Sequence, residues 1–236
     1  MLDQPRYYHL EGRQLVSVTT FLRVLSKPFL MPWYVKMERE NVLRLIENAR
    51  DDNEALAAIK NSFFFNKKGE VSGAHSAADE YVKSQGAHGR ACHAGVESFF
   101  KDKDFKAKML PRALERYKTW KEWWLQSEFE VLDVEETVHD LDLGYAGTLD
   151  LRAKRWGEEY VIDWKFGKGA GYAEHHLQNV AYRHAGRGGP LHEDAKGLIV
   201  HVPSEGGPVE EIPIDPKYTM QHVEACLALW HMENDK

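Results

Sequence analysis

Residues 129–214 constrain the fold more than any other part of the chain. Three strand-like segments follow one another with only turns between them: Phe129 to Val138, Leu143 to Ala153 and Glu159 to Lys165. The first and third are rich in β-branched and aromatic residues, which suit a pleated, half-buried surface. Asp140-Leu141-Asp142 and Arg155-Trp156-Gly157 supply the turns. Connections this short make neighbouring strands antiparallel. A helix is predicted from about Ala173 to Ala185, and Gly186 to Pro190 breaks it. Strands at Gly197 to Pro203 and Val209 to Ile214 follow, split by Gly206-Gly207-Pro208. A last helix starts near Asp215-Pro216, with Met220, Val223, Leu227 and Trp230 as its apolar face. The expected class is a mixed α/β fold, with a central mixed β-sheet flanked by helices.

The upstream sequence reads as helical. Gly86 to Phe100 becomes a good helix after Arg90, and Pro111 opens another in which Leu114, Tyr117, Trp120 and Trp124 recur at helical spacing. Residues 1–85 are expected to form a helical accessory region attached to a core of residues 86–236. Within it Thr19 or Thr20 caps a short helix, Phe21 to Leu25. Further helices are predicted from Met37 to Ala49 and from Asn53 to Ser62, before Phe63 to Gly69 ends in turn residues.

The chain has 236 residues, enough to bury a core without staples. The two cysteines, Cys92 and Cys226, fit a reducing compartment and exclude a disulfide scaffold or a four-cysteine iron–sulfur cluster. No apolar run reaches the length of a membrane span, and the first residues hold no signal-peptide core, so a cytoplasmic protein is expected. A net charge of -6 argues against coating nucleic acid by bulk charge. It leaves local clusters open. Between Lys101 and Glu122 eight basic residues face four acidic ones, either a phosphate-holding stretch or a solvated helix face.

The chemistry lies in two consecutive strands. In Gly147-Thr148-Leu149-Asp150-Leu151, alternation puts the leucines on one face and Asp150 on the other. In Val161-Ile162-Asp163-Trp164-Lys165, Asp163 and Lys165 share a face. Paired strands lie about 4.8 Å apart, so Asp150, Asp163 and Lys165 can converge. Two carboxylates with water suit magnesium or manganese, and a nearby lysine can orient a water or steady phosphate charge. A hairpin with solvated carboxylates satisfies the same letters. Yet Asp and Lys are depleted from strand interiors, and such a conflict between propensity and residue type marks functional sites.

These residues carry a resemblance. Gly147-Thr148-Leu149-Asp150, then Asp163-Trp164-Lys165, then Gln178 and Tyr182 four apart on a helix, resemble the motifs of the PD-(D/E)XK nuclease superfamily. They are most similar to its RecB-like exonuclease branch, the group of the mitochondrial genome maintenance exonuclease and its phage relatives. Gly89-Arg90-Ala91-Cys92-His93 is similar to that branch's metal-binding histidine motif, and Leu15 to Leu22 to its opening segment. The resemblance implies a restriction-endonuclease-like core. His93, Asp150 and Asp163 would be metal ligands, joined by the backbone carbonyl of Trp164. Asp150, Asp163 and Lys165 would form the catalytic set, supported by Gln178 and Tyr182. It implies Mg2+ or Mn2+ and no iron–sulfur cluster. The expected activity is a metal-dependent deoxyribonuclease, an exonuclease on single-stranded DNA ends, with the N-terminal part arching over the site. A structure-specific endonuclease and a catalytically silent DNA-binding module on the same fold are the alternatives.

The remaining candidates each have a plainer use. Ser17, Thr19 and Thr20 either contact a DNA phosphate or simply cap a helix. Trp33, Tyr34 and Phe63 to Phe65 either stack bases or fill a core. Glu136 either approaches the metal or is an exposed strand carboxylate.

Overall fold

The computed structural model describes residues 4–25, 27, 30–65, 71–74, 76–101, 109–185 and 194–234. The chain divides into two units, Met1–Leu25 with His88–Lys236, and Ser26–Ala87. Among the described residues no helix is long and apolar enough to cross a membrane.

The larger unit is built on one mixed sheet. Its strands are β1 (Tyr7–Leu10), β2 (Arg13–Ser17), β5 (Glu130–Asp140), β6 (Tyr145–Arg155), β7 (Glu158–Gly167), β8 (Lys196–Pro203) and β9 (Glu210–Pro213). They are ordered β1-β2-β6-β7-β8-β9, with β5 also pairing β6. The β5-β6-β7 meander is antiparallel, β7-β8 is parallel, and β8-β9 is antiparallel. Between β7 and β8 the chain passes through helix α6 (Ala173–Ala185), the long crossover that a parallel pair requires. Helix α7 (Met220–Asn234) closes the chain, beginning several residues after Asp215-Pro216.

Two cores cover the sheet's two faces. On one, Leu177, Val180 and Ala181 of α6 and Val223, Leu227 and Trp230 of α7 pack with Val161, Val138 and Leu149. On the other, Cys92 and Val96 of α4 (Ala77–Phe100) and Ala113, Trp120 and Trp124 of α5 (Pro111–Trp124) pack with Ile162, Trp164 and Leu151. Trp120 and Trp164 meet edge to face at 5.6 Å. Burial pushes the Cys92 thiol up to about 11, against the opposing pull of nearby Arg116.

Two expectations are corrected here. Residues 7–17 do not belong to a helical accessory part. They form a hairpin, and β2 joins the main sheet by parallel pairing of Val16 with Tyr145 and Ser17 with Ala146. The buried Leu15 and Val16 need a core, and the sheet supplies it. Nor do Leu149 and Leu151 share a face. Leu149 joins the first core and Leu151 the second. The reason sits on the neighbouring strand. Val134 pairs Leu151 and Glu136 pairs Leu149, which places Glu135 opposite Asp150. Glu135 has a left-handed backbone, φ 56. The strand's register shift lies a few residues away, between Val131 and Asp133, where a bulge adds local twist, and the strand pair changes faces between Leu149 and Leu151, beside Glu135 and Asp150.

The smaller unit contains α2 (Leu30–Glu47), α3 (Asp52–Asn61), the two-stranded pair β3 (Phe63–Phe65) and β4 (Val71–Ala74), and the start of α4. Asp51 caps α3, its carboxylate accepting the Asn53 and Glu54 amides at 2.9 Å each. Glu38 of α2 accepts from Ser76 and from the Ala78 amide, which ties α2 to the first turn of α4. Trp33 meets Tyr34 edge to face and tilts against Tyr81.

Candidate metal centre

The site occupies a gap in the sheet. One edge of β6 is shared by two strands. At its start β2 pairs with Tyr145 and Ala146, and at its end β7 pairs with Leu151 to Arg155. From Gly147 to Asp150 that edge has neither partner, because β7 leaves β6 after Ile162 and continues beside β8 alone. The polar groups this exposes must be satisfied by side chains or by a ligand. Asp150 does part of this, its Oδ2 accepting the Trp164 amide at 2.8 Å. In an extended strand the N–H and C=O of one residue face the same neighbour, so the Trp164 carbonyl is turned toward Asp150 as well.

His93 reaches the gap from α4. Its Nδ1 lies 3.5 Å from Asp150 Oδ1, and its ring meets Phe166 edge to face. Burial alone would lower its pKa, but the Asp150 carboxylate outweighs that and the imidazole is raised. Asp150 is itself lowered. Its burial opposes ionisation, and His93, Lys165 and the Trp164 amide together overcome that opposition.

Asp163 and Lys165 turn toward α6. Asp163 is only 2% exposed. Burial pushes it up to about 6, even with the Lys165 ammonium 2.6 Å from its Oδ2, and the nearby Asp150 adds to the rise. Lys165 Nζ also donates to Gln178 Oε1 at 3.1 Å, and Gln178 Nε2 donates to the Tyr182 oxygen at 3.0 Å. Gln178 and Tyr182 stand one turn apart on α6, so one helix face orients the lysine. The Tyr182 ring turns its Cε1 edge against Gly147, where a Cβ would come within 2.3 Å of Cε1. Glycine at 147 is what lets α6 approach the gap.

His93, Asp150, Asp163, Lys165, Gln178, Tyr182 and the Trp164 backbone are therefore linked in one chain of contacts and charges. Ser17 and Thr20 do not join it as free hydroxyls. Both are 2% exposed. Ser17 Oγ accepts the Thr20 amide as the N-cap of α1 (Val18–Phe21), and it also bonds Thr20 Oγ1 at 2.8 Å. Thr19 alone keeps an exposed side chain. In the basic stretch, residues 102–108 lie outside the described residues, Arg116 is buried, and Lys101 pairs with Glu97 at 3.0 Å.

Two neighbours were not foreseen. Glu136, the strand carboxylate singled out by sequence, is paired with Arg152 at 3.2 Å. Its neighbour Glu135 faces the site instead, and one ligand atom each from His93, Glu135 and Asp150 fall within 4.8 Å of one another. Burial, then the Asp150 and Glu97 carboxylates, push Glu135 up to about 7. The only signal in the sequence is the Glu135-Glu136 doublet, of which alternation permits one member to face inward. Tyr8 of β1 reaches the same gap, its hydroxyl 2.9 Å from Thr148 Oγ1.

The clustered donor set is one imidazole and two carboxylates, His93, Glu135 and Asp150; the expected ligand Asp163 is not in that cluster, its carboxylate being held by Lys165. Such hard, oxygen-rich donors fit magnesium or manganese. Cys92 lies in the apolar core, so no thiolate competes and a zinc-type sulfur site is not formed here.

No protein-family model matches the sequence, and no curated protein matches it. Solved structures similar to it include the protein SSO0001, at 14% identity and a TM-score of 0.35, over 52% of this chain. The chain spans 58% of that protein's length. A candidate exonuclease from Eubacterium rectale is similar at 11% identity and a TM-score of 0.46, over 63% of this chain and 68% of that one.

Proposed function

We propose that this chain is a divalent-metal-dependent nuclease of the PD-(D/E)XK type, similar to the RecB-like exonucleases, which hydrolyses DNA phosphodiester bonds. The observation that supports it best is the place of Lys165. It is fixed between Asp163 and Gln178, close enough to the His93–Asp150 pair for its charge to act on both. A chain that only bound DNA would have no use for burying carboxylates against a lysine at an interrupted strand edge.

Magnesium or manganese, when bound, would supply a polarised phosphate oxygen and a water of lowered pKa. His93, Asp150 and Asp163 would hold it, with the Trp164 carbonyl. The chain's own part is positioning. Lys165 spends two of its donors on Asp163 and Gln178, which leaves one for a phosphate oxygen or the attacking water. Gln178 and Tyr182 keep the ammonium from swinging away. The preferred substrate is single-stranded DNA with a free end.

A nuclease assay on linear and circular single strands, with and without excess EDTA, tests the reading. Linear strands should be degraded only with metal, and circular ones spared. Cutting of circles makes the protein an endonuclease, and undiminished activity in EDTA removes the metal reading. Lys165→Ala should retain metal and DNA binding yet cleave on the order of 100-fold more slowly. A wild-type rate in Lys165→Ala places the chemistry elsewhere.

A further inference from the structure

We propose, resting on the metal-dependent reading above, that Glu135 is a further side-chain ligand of the divalent cation, so that α4, β5 and β6 each contribute one donor through His93, Glu135 and Asp150. The family resemblance assigns no role to this position.

The three donor atoms already lie within 4.8 Å of one another. Around a six-coordinate cation with bonds of about 2.1 Å, neighbouring donors sit about 3 Å apart and opposite ones about 4.2 Å apart. The observed spread therefore closes on an ion with side-chain adjustments of under about 1 Å. No strand needs to move.

The backbone is bent to achieve this. A glutamate in the left-handed region in mid-strand costs on the order of 1 kcal/mol or more, and such residues persist where their surroundings over-determine them. At φ 56, Glu135 interrupts the ladder opposite Asp150. Its neighbours Val134 and Glu136 stay in register.

Charge points the same way. Nearby Glu97 and Glu136 are committed to Lys101 and Arg152. Among the described residues, Glu135 has no ion pair and no hydrogen bond of its side chain. It stands beside Asp150 and His93, and the charges that act on it are Asp150 and Glu97 against His93 and Lys101. Of these cations, Lys101 is engaged by Glu97 and His93 by Asp150. A cation is what the arrangement is short of.

Calorimetric titration of the full chain with Mn2+ tests the assignment without reference to cleavage. Glu135→Gln removes the ligand charge. Glu135→Gly removes the side chain and relieves the backbone, so at least this variant should fold as well as wild type, as a thermal melt will show. Both should bind Mn2+ more weakly by on the order of 10- to 100-fold, the scale known for losing even a partner of a metal ligand. Glu136→Gln, which disturbs only the Arg152 pair, should bind within about threefold of wild type. If both Glu135 variants bind Mn2+ as wild type does while Asp150→Ala loses it, the metal site stands and Glu135 is not part of it. If wild type itself binds no Mn2+, the metal reading falls and this inference with it.

Discussion

Adding one methyl group at Gly147 should disturb both stability and chemistry, by amounts the structure allows one to work out. A Cβ there would lie 2.3 Å from Tyr182 Cε1 and 3.1 Å from Cδ1 and Cζ. Carbon atoms in contact sit about 3.5–4.0 Å apart, so the ring must retreat by about 1 Å. It has little room, being 3% exposed in the core formed with Leu177 and Val180. Overpacking of this kind costs about 1–3 kcal/mol, at about 2–4 °C of melting temperature per kcal/mol for a domain of this size. Backbone entropy alone would favour alanine by about 0.5–1 kcal/mol, so the sign of the change is itself diagnostic. Retreat of the ring also carries the Tyr182 oxygen away from Gln178, which loosens Lys165. A misplacement of about 1 Å at a reacting group can lower a rate on the order of 100-fold. The assay is a double-mutant cycle of Gly147→Ala and Tyr182→Ala, followed by denaturant unfolding and single-turnover cleavage. With the ring removed, the three atoms nearest the added methyl are gone, and its cost should shrink below about 0.5 kcal/mol. If Gly147→Ala costs the same in both backgrounds, or raises stability in the wild type, the ring contact is not what holds α6 in place.

Ser17→Ala should cost about 1 kcal/mol through loss of the α1 cap and leave DNA affinity unchanged, whereas Thr19→Ala should alter unfolding little; weaker DNA binding by Ser17→Ala at unchanged stability would return its hydroxyl to the substrate. Asp163 makes metal-free stability depend on pH. Its folded-state value of about 6 lies above the ordinary 3.8, so the folded chain holds the proton more tightly. Stability should therefore fall as pH rises from about 4 through about 6. Thermal melts in EDTA from pH 4 to 8 should show that slope in wild type and a shallower one in Asp163→Asn; equal slopes would mean that this carboxyl does not titrate as described.

What could be read from sequence is what depends on near neighbours. The helical period of residues 173–185 returned α6 with its bounds, and alternation put Asp163 and Lys165 on one face, where both turn to α6. The misreadings come from distance and from backbone conformation. Nothing local tells Arg13–Ser17 that Tyr145 and Ala146 will pair with it, so a hairpin rich in polar residues carries no mark that separates it from the helical region after it. Alternation assumes an unbroken pleat, and the left-handed Glu135 breaks it. That one residue explains both the separated leucines and the overlooked carboxylate. The choice between Ser17 as cap and Ser17 as phosphate donor depended on burial, which its letter does not carry.

The pairing of β2 with β6 sets an order of events for a chain leaving the ribosome. Val16 is made early, and its partner Tyr145 emerges only after the whole Ser26–Ala87 unit and helices α4 and α5. Long-range closures of this kind are slow, and strands that wait for them stay exposed. The inserted unit needs no such partner, since α2 and α3 and the β3-β4 pair are contiguous in the chain. The earliest-made strands of the main sheet are thus among the last that can be seated. A slow variant of this protein should be caught with its β5-β6-β7 meander formed and its first hairpin still open to proteases.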